Sequence, residues 1–407
     1  MSRLSEAIER LKAGRMIVLV DDETRENEGD LVMAAQFATG EHVNFMAKHA
    51  RGLICLALDG AIVDHLGLPP MVSVNRTHRK TAFTVSIEAR TGVTTGISAF
   101  DRARTIQAAA APHATAQDIV SPGHVFPLRA VEGGVLVRGG HTEGSVDLMR
   151  IAGLRPAATI CEVMNDDGSM ARLPELRAFA ERHDIPLITI AEIAAHRMLH
   201  EHLVEEVAVA RMPSVYAPDG LEVRAFRGVV DGIEHLALIK GPLNDGALVR
   251  VHSECLTGDA LGSLRCDCGA QLRAALDIIG TSKSGALIYM TGHEGRGIGL
   301  ANKIKAYALQ DGGLDTVEAN TALGFADDSR DYGIAAQIVK ALGLKRIRLL
   351  SNNPRKTAGL RAYGLDVVEE IPLIIPSNPH NAGYLAVKRD KLRHRLSPTP
   401  RAAAVGR

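Results

Sequence analysis

The order of apolar and polar positions along the first half of the chain predicts short helices alternating with short strands. Leu4, Ile8 and Leu11 recur at helical spacing before Gly14 ends the pattern, and the apolar run 16–20 predicts a strand. Further β-branched runs lie at 53–58, 83–87, 135–137 and 158–163, and further helical stretches at 41–50, 99–110 and 174–183. This alternation predicts a mixed α/β domain.

The second half shows a different order of elements. A helical pattern from Ile193 to residue 207 precedes Pro213, which breaks it, so we place a domain boundary near residue 204. Beyond it, strands are predicted at 222–226, 235–239, 247–252, 286–290 and 346–350, and helices at 300–309 and 333–342. The sequence therefore predicts an α/β (mixed α+β) protein with two unrelated mixed-sheet domains in tandem, 1–204 and 205–407.

Composition narrows the class of protein. The chain has 407 residues, no net charge, 46% hydrophobic residues and 3% aromatic residues. At roughly 150 residues per domain this length exceeds one domain. The balanced charge and scarce aromatic residues argue against nucleic acid as a partner. The first residues are not a secretory signal, and no apolar run reaches the roughly 18 residues of a membrane span, so we expect a cytoplasmic protein.

Charge is distributed unevenly along the chain. Residues 1–204 hold 21 basic and 25 acidic residues, whereas the remainder holds 26 and 22. Part of the second excess is the basic run 388–395 near the carboxyl end. Runs of this kind are usually solvated, so we interpret it as a solvated helix end and not as a binding patch.

An acidic segment directly follows the first predicted strand. If it is extended, Glu26, Glu28 and Asp30 share one face, because alternate strand residues point the same way. Three carboxylates held together need a cation or a proton, and such oxygen ligands suit Mg²⁺ or Mn²⁺. The alternative is a solvated acidic loop.

A second segment of the first half could bind an anion. Arg138, Gly139, Gly140, His141 and Thr142 follow the predicted strand 135–137 and open a helix. Backbone N–H groups at such a helix start, with the arginine beside them, could hold a phosphate. The alternative is a helix capped by Thr142, with an incidental surface histidine at 141.

The five cysteines divide into two kinds. Cys255, Cys266 and Cys268 have the spacing C-x₁₀-C-x-C, and three thiolates are typical of a catalytic zinc that keeps one position for water. The alternative is a structural zinc completed by His252 or His293. We interpret Cys55 and Cys161 as inert core residues.

Two loops of the second half could bind phosphates. Residues 292–300 are rich in glycine, contain Arg296, and lead into a helix with Lys303, Lys305 and Tyr307. Residues 352–356 open another helix directly after a strand. Glycines admit phosphates close to the backbone, and helix amino termini are positive. With three zinc thiolates, the two loops indicate hydrolysis of a polyphosphorylated nucleotide.

The first half resembles the 3,4-dihydroxy-2-butanone 4-phosphate synthase family over about residues 1–200. The matching motifs are RENEGD (25–30), FTV (83–85), GVTTG (92–96), SAFDR (98–102), GHVFPLR (123–129) and RGGHTE (138–143). The resemblance implies conversion of ribulose 5-phosphate into a four-carbon phosphate and formate, with Mg²⁺ or Mn²⁺ held by Glu26 and His141. It implies that His124 and Glu162 take part in catalysis. The sugar phosphate would be bound by Arg25, Glu26, Asp30, Arg138, Gly139, Gly140, His141, Thr142 and Glu162.

The second half resembles the GTP cyclohydrolase II family over about residues 205–400. The matching motifs are VHSECLTGD (251–259), CDCG (266–269), GRGIGL (295–300), KAYALQD (305–311), DTVEAN (315–320) and NNP (352–354). The resemblance implies zinc at Cys255, Cys266 and Cys268. It implies GTP contacts by Arg250, Val251, His252, Ser253, Glu254, Gln271, Glu294, Gly295, Arg296, Thr316, Ser351 and Lys356.

The same resemblance implies roles in catalysis. Asp328 would be the general base, Tyr307 a hydrogen-bond partner, and Arg330 a nucleophile toward the α-phosphate, with Mg²⁺ assisting release of pyrophosphate. Because a guanidinium stays charged, electrostatic stabilisation by Arg330 is a second interpretation. The chain departs from the resembled sequences at Thr291, where arginine is frequent, and at Ser351, where threonine is.

Together the resemblances predict a bifunctional riboflavin-biosynthesis enzyme. Its partners would be ribulose 5-phosphate and GTP, without nucleic acid or membrane, and family members are commonly homodimers. Two alternatives remain. One half could be an inactive scaffold, or the second half could be a GTP-binding regulator with a structural zinc.

Overall fold

A computed structural model describes residues 2–23, 25–326, 328 and 330–396. The chain divides into two compact units, unit 1 (Met1–Arg197) and unit 2 (Met198–Arg407). Among the described residues, no helix is both long and apolar enough to cross a membrane.

Unit 1 is built on one mixed sheet. Its strands are β1 (Ile17–Val20), β2 (Gly29–Ala34), β3 (Cys55–Leu58), β4 (Ile87–Ala89), β5 (Ile119–Arg129), β6 (Ala157–Glu162) and β7 (Leu187–Thr189). Its helices are α1 (Arg3–Lys12), α2 (Gly40–Phe45), α3 (Gly60–His65), α4 (Ala99–Ala110), α5 (His141–Ile151), α6 (Leu173–His183) and α7 (Ile190–His200), the last of which ends beyond the unit. The strand order is β4-β5-β3-β6-β2-β1-β7.

Both faces of this sheet are covered. In β1, Val18 and Val20 pack into one apolar core, whereas Ile17 and Leu19 pack into a second core. A strand buried on both faces has no need of polar residues at alternate positions. This explains why residues 16–20 appear in the sequence as an unbroken apolar run.

Several predicted elements of unit 1 are confirmed and two are wrong. The helix 99–110 has the predicted bounds, and 41–50 forms α2 followed by a π-helical turn. The predicted strand 135–137 is wrong, because Gly134–Leu136 forms a 3-10 turn. The predicted strand 83–87 is also misplaced: β4 begins at Ile87, and Phe83 and Thr84 make only isolated bridges.

Unit 2 contains a second mixed sheet. Its strands are β8 (Val204–Ser214), β9 (Ala217–Gly228), β10 (Glu234–Lys240), β11 (Ala247–Ser253), β12 (Gly285–Met290), β13 (Arg346–Leu350) and β14 (Asp366–Ile371). Its helices are α8 (Leu256–Asp259), α9 (Cys268–Thr281), α10 (Leu300–Asp311), α11 (Thr316–Ala322), α12 (Gly333–Ala341), α13 (Pro354–Ala362) and α14 (Ala382–Asp390). The strand order is β14-β13-β11-β12-β10-β9-β8.

The parallel part of this sheet positions the candidate site. The pairs β14–β13, β13–β11 and β11–β12 are parallel. The pairs β12–β10, β10–β9 and β9–β8 are antiparallel. Ligands in open α/β sheets bind beyond the carboxyl ends of the parallel strands. The segments that leave β11, β12 and β13 therefore meet at one edge of the sheet.

The predicted helix through residue 207 is wrong. α7 ends at His200, and β8 runs through Pro213, which does not break it. Proline cannot donate a ladder hydrogen bond and is tolerated in edge strands. β8 is such a strand, because it is last in the sheet order.

Candidate active sites

In unit 1, the segment between β1 and β2 folds around the carboxylate of Asp21. Asp21 Oδ1 accepts a hydrogen bond from the Glu28 N–H at 2.8 Å, and Oδ2 accepts one from the Glu26 N–H at 3.1 Å. Arg25 Nη1 donates to Asp21 Oδ2 at 2.8 Å and to Glu26 Oε2 at 2.6 Å. These bonds hold Glu26 over the end of β1.

Helix α5 brings a histidine to the same place. Ligand atoms of Asp21, Glu26 and His141 all lie within 4.8 Å of one another. His141 Nδ1 is also 3.8 Å from Asp30 Oδ1. The structure therefore brings the two predicted ligands, Glu26 and His141, together, and adds Asp21, which the sequence reasoning did not assign.

Burial explains the electrostatics of this cluster. Desolvation lowers the pKa of His141, whereas burial and the nearby Glu162 and Glu26 raise the pKa of Asp30. Among the described residues, Asp30 Oδ1 and His141 Nε2 are buried and have no hydrogen-bond partner. Buried polar atoms without partners are rare, and a divalent cation bound by oxygen and imidazole atoms fits this set of donors.

The solvated-loop alternative is wrong for the two aspartates, since Asp21 and Asp30 are buried. The predicted face of three carboxylates forms only in part. Glu28 Oε1 lies 3.6 Å from a guanidinium nitrogen of Arg172. Glu28 is therefore paired with an arginine and is absent from the group of ligand atoms around His141.

The loop before α5 contains the predicted phosphate-binding segment. Gly140, and not Thr142, is the N-cap of α5, so the alternative of a cap by Thr142 is wrong. The alternative of a surface position for His141 is also wrong, because His141 is buried. Arg138 Nη1 donates to Glu143 Oε2 at 2.6 Å. A Cβ atom at Gly140 would lie 2.3 Å from that Nη1 atom, so a larger residue there would displace the Arg138–Glu143 ion pair.

The two residues predicted to take part in catalysis lie in different places. Glu162 on β6 is directly opposite Asp30 on β2, and its Oε2 accepts the Leu53 N–H at 2.9 Å. His124 lies on β5, three strands away from β2, and its exposed ring is 2.8 Å from Glu88 Oε2. No contact found among the described residues joins His124 to the cluster around His141.

In unit 2, three thiols meet where β11 ends and α9 begins. Cys255 Sγ is 3.7 Å from Cys266 Sγ, and the sulfur atoms of Cys255, Cys266 and Cys268 all lie within 4.8 Å of one another. A Cβ atom at Gly258 would lie 2.8 Å from Cys266 Sγ. The glycine therefore leaves room beside the sulfur atoms, and three thiolates in this arrangement fit zinc.

A buried lysine supports negative charge on these sulfur atoms. Lys303 Nζ lies 3.1 Å from Cys255 Sγ and donates to Glu294 Oε1 at 2.6 Å. Hydrogen bonds from the neighbouring thiols, together with this ammonium group, lower the pKa of Cys255, while the Cys255 thiolate raises the pKa of Cys266 to about 11. Metal binding requires deprotonated thiols, and the pocket favours deprotonation first at Cys255.

Neither candidate histidine completes a four-ligand zinc site in the described part of the chain. His252 Nε2 lies 3.1 Å from both carboxylate oxygens of Asp259, and His293 Nδ1 lies 3.2 Å from Ser253 Oγ. The group of possible metal ligands here consists of the three cysteines. This set agrees with a zinc that keeps one position open.

The other two cysteines are in the cores of unit 1. Cys55 and Cys161 are buried, and burial raises the pKa of both thiols. Buried thiols of this kind are inert, as the sequence reasoning expected.

A cleft of about 1080 Å³, counted with its open mouth, adjoins the thiols. It is lined by most of the residues that the sequence assigned to GTP. These are Arg250, His252, Ser253, Glu254, Gln271, Glu294, Gly295, Arg296, Thr316, Ser351 and Lys356. Tyr307 and Arg330 also line it, whereas Val251 and Asp328 do not.

The floor of the cleft holds buried cations. Arg250 Nη2 donates to Gln271 Oε1 at 2.6 Å, and Lys356 Nζ donates to the carbonyl of Val251 at 2.6 Å. Burial lowers the pKa of Arg250 to about 10, and burial with the neighbouring Arg250 and Arg330 also lowers the pKa of Lys356. Buried cations that repel one another gain stability when a polyanion binds between them. This floor is therefore suited to a polyphosphate.

Arg330 is held by a carboxylate. Its Nε donates to Asp328 Oδ1 at 2.8 Å and its Nη2 to Asp328 Oδ2 at 2.6 Å. Burial opposes the charge of Arg330, but Tyr332 and Asp328 raise its pKa above the ordinary value. The guanidinium is therefore firmly protonated, which favours the electrostatic interpretation over the nucleophilic one.

Tyr307 and the two departures from the family pattern also have defined places. Tyr307 Oη lies 3.0 Å from Thr257 Oγ1, next to the thiols. Thr291 Oγ1 donates to the carbonyl of Glu234 and does not line the cleft. Ser351 Oγ accepts the Asn353 N–H at 3.1 Å at the start of α13.

The interpretation of the basic run 388–395 as a solvated helix end is wrong for Lys388. This residue is 8% exposed, and its Nζ donates to Asp267 Oδ1 at 2.5 Å. Tyr384, Lys388 and His394 line the cleft. The spacing of Tyr384 and Lys388, one helical turn apart, was the signal in the sequence that could have indicated a shared face.

These two centres define a class of protein: an enzyme with two domains in tandem and one candidate active site in each. The family model of 3,4-dihydroxy-2-butanone 4-phosphate synthase matches residues 5–196, and that of GTP cyclohydrolase II matches residues 205–372. Both resemblances seen in the sequence are thereby confirmed.

Relatives with the same pair of domains cover nearly the whole chain. The riboflavin biosynthesis protein RibBA of Aquifex aeolicus is 53% identical, over 96% of this chain and 97% of its own. That of Synechocystis is 56% identical, over 96% of this chain and 71% of its own. The chain belongs to the RibBA family of bifunctional riboflavin-biosynthesis enzymes.

A solved structure shares the fold of both units. The two-domain 3,4-dihydroxy-2-butanone 4-phosphate synthase RibBX of A. baumannii is 38% identical, with a TM-score of 0.69, and covers 91% of this chain and 99% of its own. The fold class expected from the sequence, two mixed sheets in tandem, is confirmed.

Proposed function

We propose that unit 1 converts ribulose 5-phosphate into 3,4-dihydroxy-2-butanone 4-phosphate and formate at the cluster of Asp21, Glu26 and His141. The grouping of these ligand atoms within 4.8 Å is the observation that supports it. A Mg²⁺ or Mn²⁺ ion held there would polarise the sugar carbonyl and stabilise negative charge on its oxygen. Arg25 is placed to bind the substrate beside Glu26, and the amino terminus of α5 to bind its phosphate.

Proton transfer in unit 1 is assigned to Asp30 and Glu162. They occupy opposite positions on β2 and β6, and the charge of Glu162 helps to raise the pKa of Asp30. Burial beside another carboxylate favours the protonated form of a carboxyl group, so Asp30 is suited to hold a proton next to Glu162. Enolisation needs such a donor and acceptor beside the carbonyl. His124, on β5 with Glu88, is assigned a role in the same chemistry from the family pattern alone.

We propose that unit 2 hydrolyses GTP to 2,5-diamino-6-ribosylamino-4(3H)-pyrimidinone 5′-phosphate, formate and pyrophosphate. Three thiols beside a cleft with a cationic floor support this assignment. A zinc ion held by Cys255, Cys266 and Cys268 would supply Lewis acidity and a water of lowered pKa. Lys356, Arg250 and Arg296 are placed to bind the phosphates, since all three line the cleft.

Asp328 is assigned as the general base and Tyr307 as a hydrogen-bond donor next to the thiols. Asp328 lies behind Arg330, whose hydrogen bonds help to lower the pKa of this carboxyl against the effect of its burial. A second Mg²⁺ assisting pyrophosphate release, a homodimer and a cytoplasmic location remain predictions from the sequence.

Arg330 is proposed to stabilise charge on the α-phosphate without bonding to it. Protein quenched during turnover of GTP labelled at the α-phosphate in a denaturant at neutral pH, which preserves acid-labile P–N bonds, should therefore carry no covalent nucleotide. Mass spectrometry of the peptide containing Arg330 is the measurement. A nucleotidyl adduct on that arginine would contradict the electrostatic role.

Formate release from both substrates tests the bifunctional assignment. Purified protein supplied with Zn²⁺ and Mg²⁺ should release one formate per GTP and one per ribulose 5-phosphate, measured with a coupled formate assay. Absence of formate from one substrate would refute the activity of that half.

The rival in which only unit 1 is active makes a different prediction. RibBX, which aligns with 91% of this chain, is described as a two-domain synthase. In such a protein, or in a GTP-binding regulator with a structural zinc, GTP would be bound and recovered unchanged. The three thiols and the buried cations of unit 2 support catalysis instead.

A further inference from the structure

The last helix of the described chain closes one wall of the nucleotide cleft. We define the carboxyl-terminal strap as residues 382–396, which comprise α14 and the segment after it. Tyr384, Lys388 and His394 of this strap line the cleft, although the family model for GTP cyclohydrolase II ends at residue 372. The strap therefore adds side chains to the cleft that the residues assigned to GTP do not include.

The strap is fastened to the rest of unit 2 at several points. Lys391 Nζ donates to Glu318 Oε1 at 3.0 Å, and Arg395 Nη1 donates to Glu370 Oε2 at 2.9 Å. The Arg395 N–H donates to the carbonyl of Asn352 at 2.9 Å, and Leu392 is buried. These contacts fix the strap against α11 and the loop that begins α13.

Lys388 links the strap to the zinc-binding segment. Its Nζ donates to Asp267 Oδ1, and Asp267 lies between the thiols of Cys266 and Cys268. The other carboxylate oxygen of Asp267 accepts Gln271 Nε2 at 2.6 Å, and Gln271 in turn accepts Arg250. A continuous set of charge-assisted bonds thus joins the strap, the thiol segment and the cationic floor.

We propose that Lys388 is a positioning residue of the GTP site: through Asp267 it holds the Cys266–Cys268 segment and Gln271 in the arrangement that binds zinc and nucleotide. Groups that orient metal ligands without touching the metal set metal affinity and activity. Both partners are buried, with Lys388 8% and Asp267 3% exposed, so removing one leaves the other charge without its partner. This proposal rests on the proposed GTP hydrolysis.

The test uses the full chain with Lys388→Met and, as a matched control, Arg389→Met. Both changes remove one cation from α14, but Arg389 is exposed and pairs with Asp390. Lys388→Met is expected to raise KM for GTP and weaken zinc retention against a chromogenic chelator, each by about tenfold or more. Arg389→Met is expected to leave both unchanged, and turnover of ribulose 5-phosphate should be unchanged in both variants.

Two additional variants distinguish positioning from simple loss of structure. Lys388→Arg keeps the charge and should recover most of the zinc affinity. In the Asp267→Asn background, Lys388→Met should add little further effect, because both changes break the same bond. Zinc affinity and KM in Lys388→Met within twofold of the parent chain would overturn the proposal. If the parent chain itself neither bound zinc nor turned over GTP, that result would refute the proposed GTP hydrolysis, on which the role of Lys388 rests.

Discussion

Cys266→Ser is expected to abolish GTP turnover while turnover of ribulose 5-phosphate continues. Cys266 Sγ lies 3.7 Å from Cys255 Sγ within the group of three thiols, so its loss leaves two thiolates for the metal. A catalytic metal contributes several kcal/mol to the transition state, and about 1.4 kcal/mol corresponds to a factor of ten. We therefore expect a loss of about a thousandfold or more in kcat/KM for GTP.

The measurement is formate release from each substrate, with zinc content determined by atomic absorption. Cys161→Ser is the control, because it removes a buried thiol from unit 1 and leaves the three thiols of unit 2 in place. It should retain zinc and GTP turnover. Loss of both activities in Cys266→Ser would argue that the two sites are not independent, and full GTP turnover without zinc would exclude the metal centre.

Glu26→Gln is expected to reduce turnover of ribulose 5-phosphate and to leave turnover of GTP intact. The Glu26 carboxylate is within the cluster of ligand atoms with Asp21 and His141 and accepts Arg25 Nη1 at 2.6 Å. The neutral amide has about the same size but is a poor ligand for a hard divalent cation. Turnover of ribulose 5-phosphate should fall by about a thousandfold, on the same scale of metal contribution, and GTP turnover should be unchanged.

Glu23→Gln provides the matched control, because Glu23 is an exposed residue of the same loop. It should keep parental formate release from ribulose 5-phosphate and parental affinity for Mn²⁺ measured by electron paramagnetic resonance. Glu26→Gln with unchanged Mn²⁺ affinity would show that the cation is held elsewhere.

Much of the fold follows from local patterns in the sequence. The spacing of Leu4, Ile8 and Leu11 and the strand 16–20 correspond to α1 and β1. Elements whose form depends on distant neighbours were missed. Residues 135–137 are β-branched or apolar but form a turn that packs under α5, where Asp147 accepts the Val135 N–H at 2.8 Å. Tertiary contacts override local propensity in such cases.

Some residues of the candidate sites could likewise be predicted from local sequence patterns, and others could not. Cys255, Cys266 and Cys268 could be assigned from spacing, because two of them are separated by one residue and zinc restricts the choice of ligands. Asp21 and Lys388 could not. Asp21 resembles any acidic residue of a charged loop, and Lys388 meets Asp267 across 121 positions of sequence. Contacts of that range are set by how the chain folds back on itself, which local periodicity does not encode.

The two ends of the parallel strands of unit 2 differ in their tolerance of insertions and substitutions. The segments after β11, β12 and β13 carry Glu254, Glu294 and Ser351 to the cleft. The connections that enter these strands, at 241–246, 282–284 and 343–345, lie at the opposite end. None of these entering residues lines the cleft. Extra residues or altered charges can accumulate there during evolution, or be introduced by design, without disturbing the chemistry at the far end.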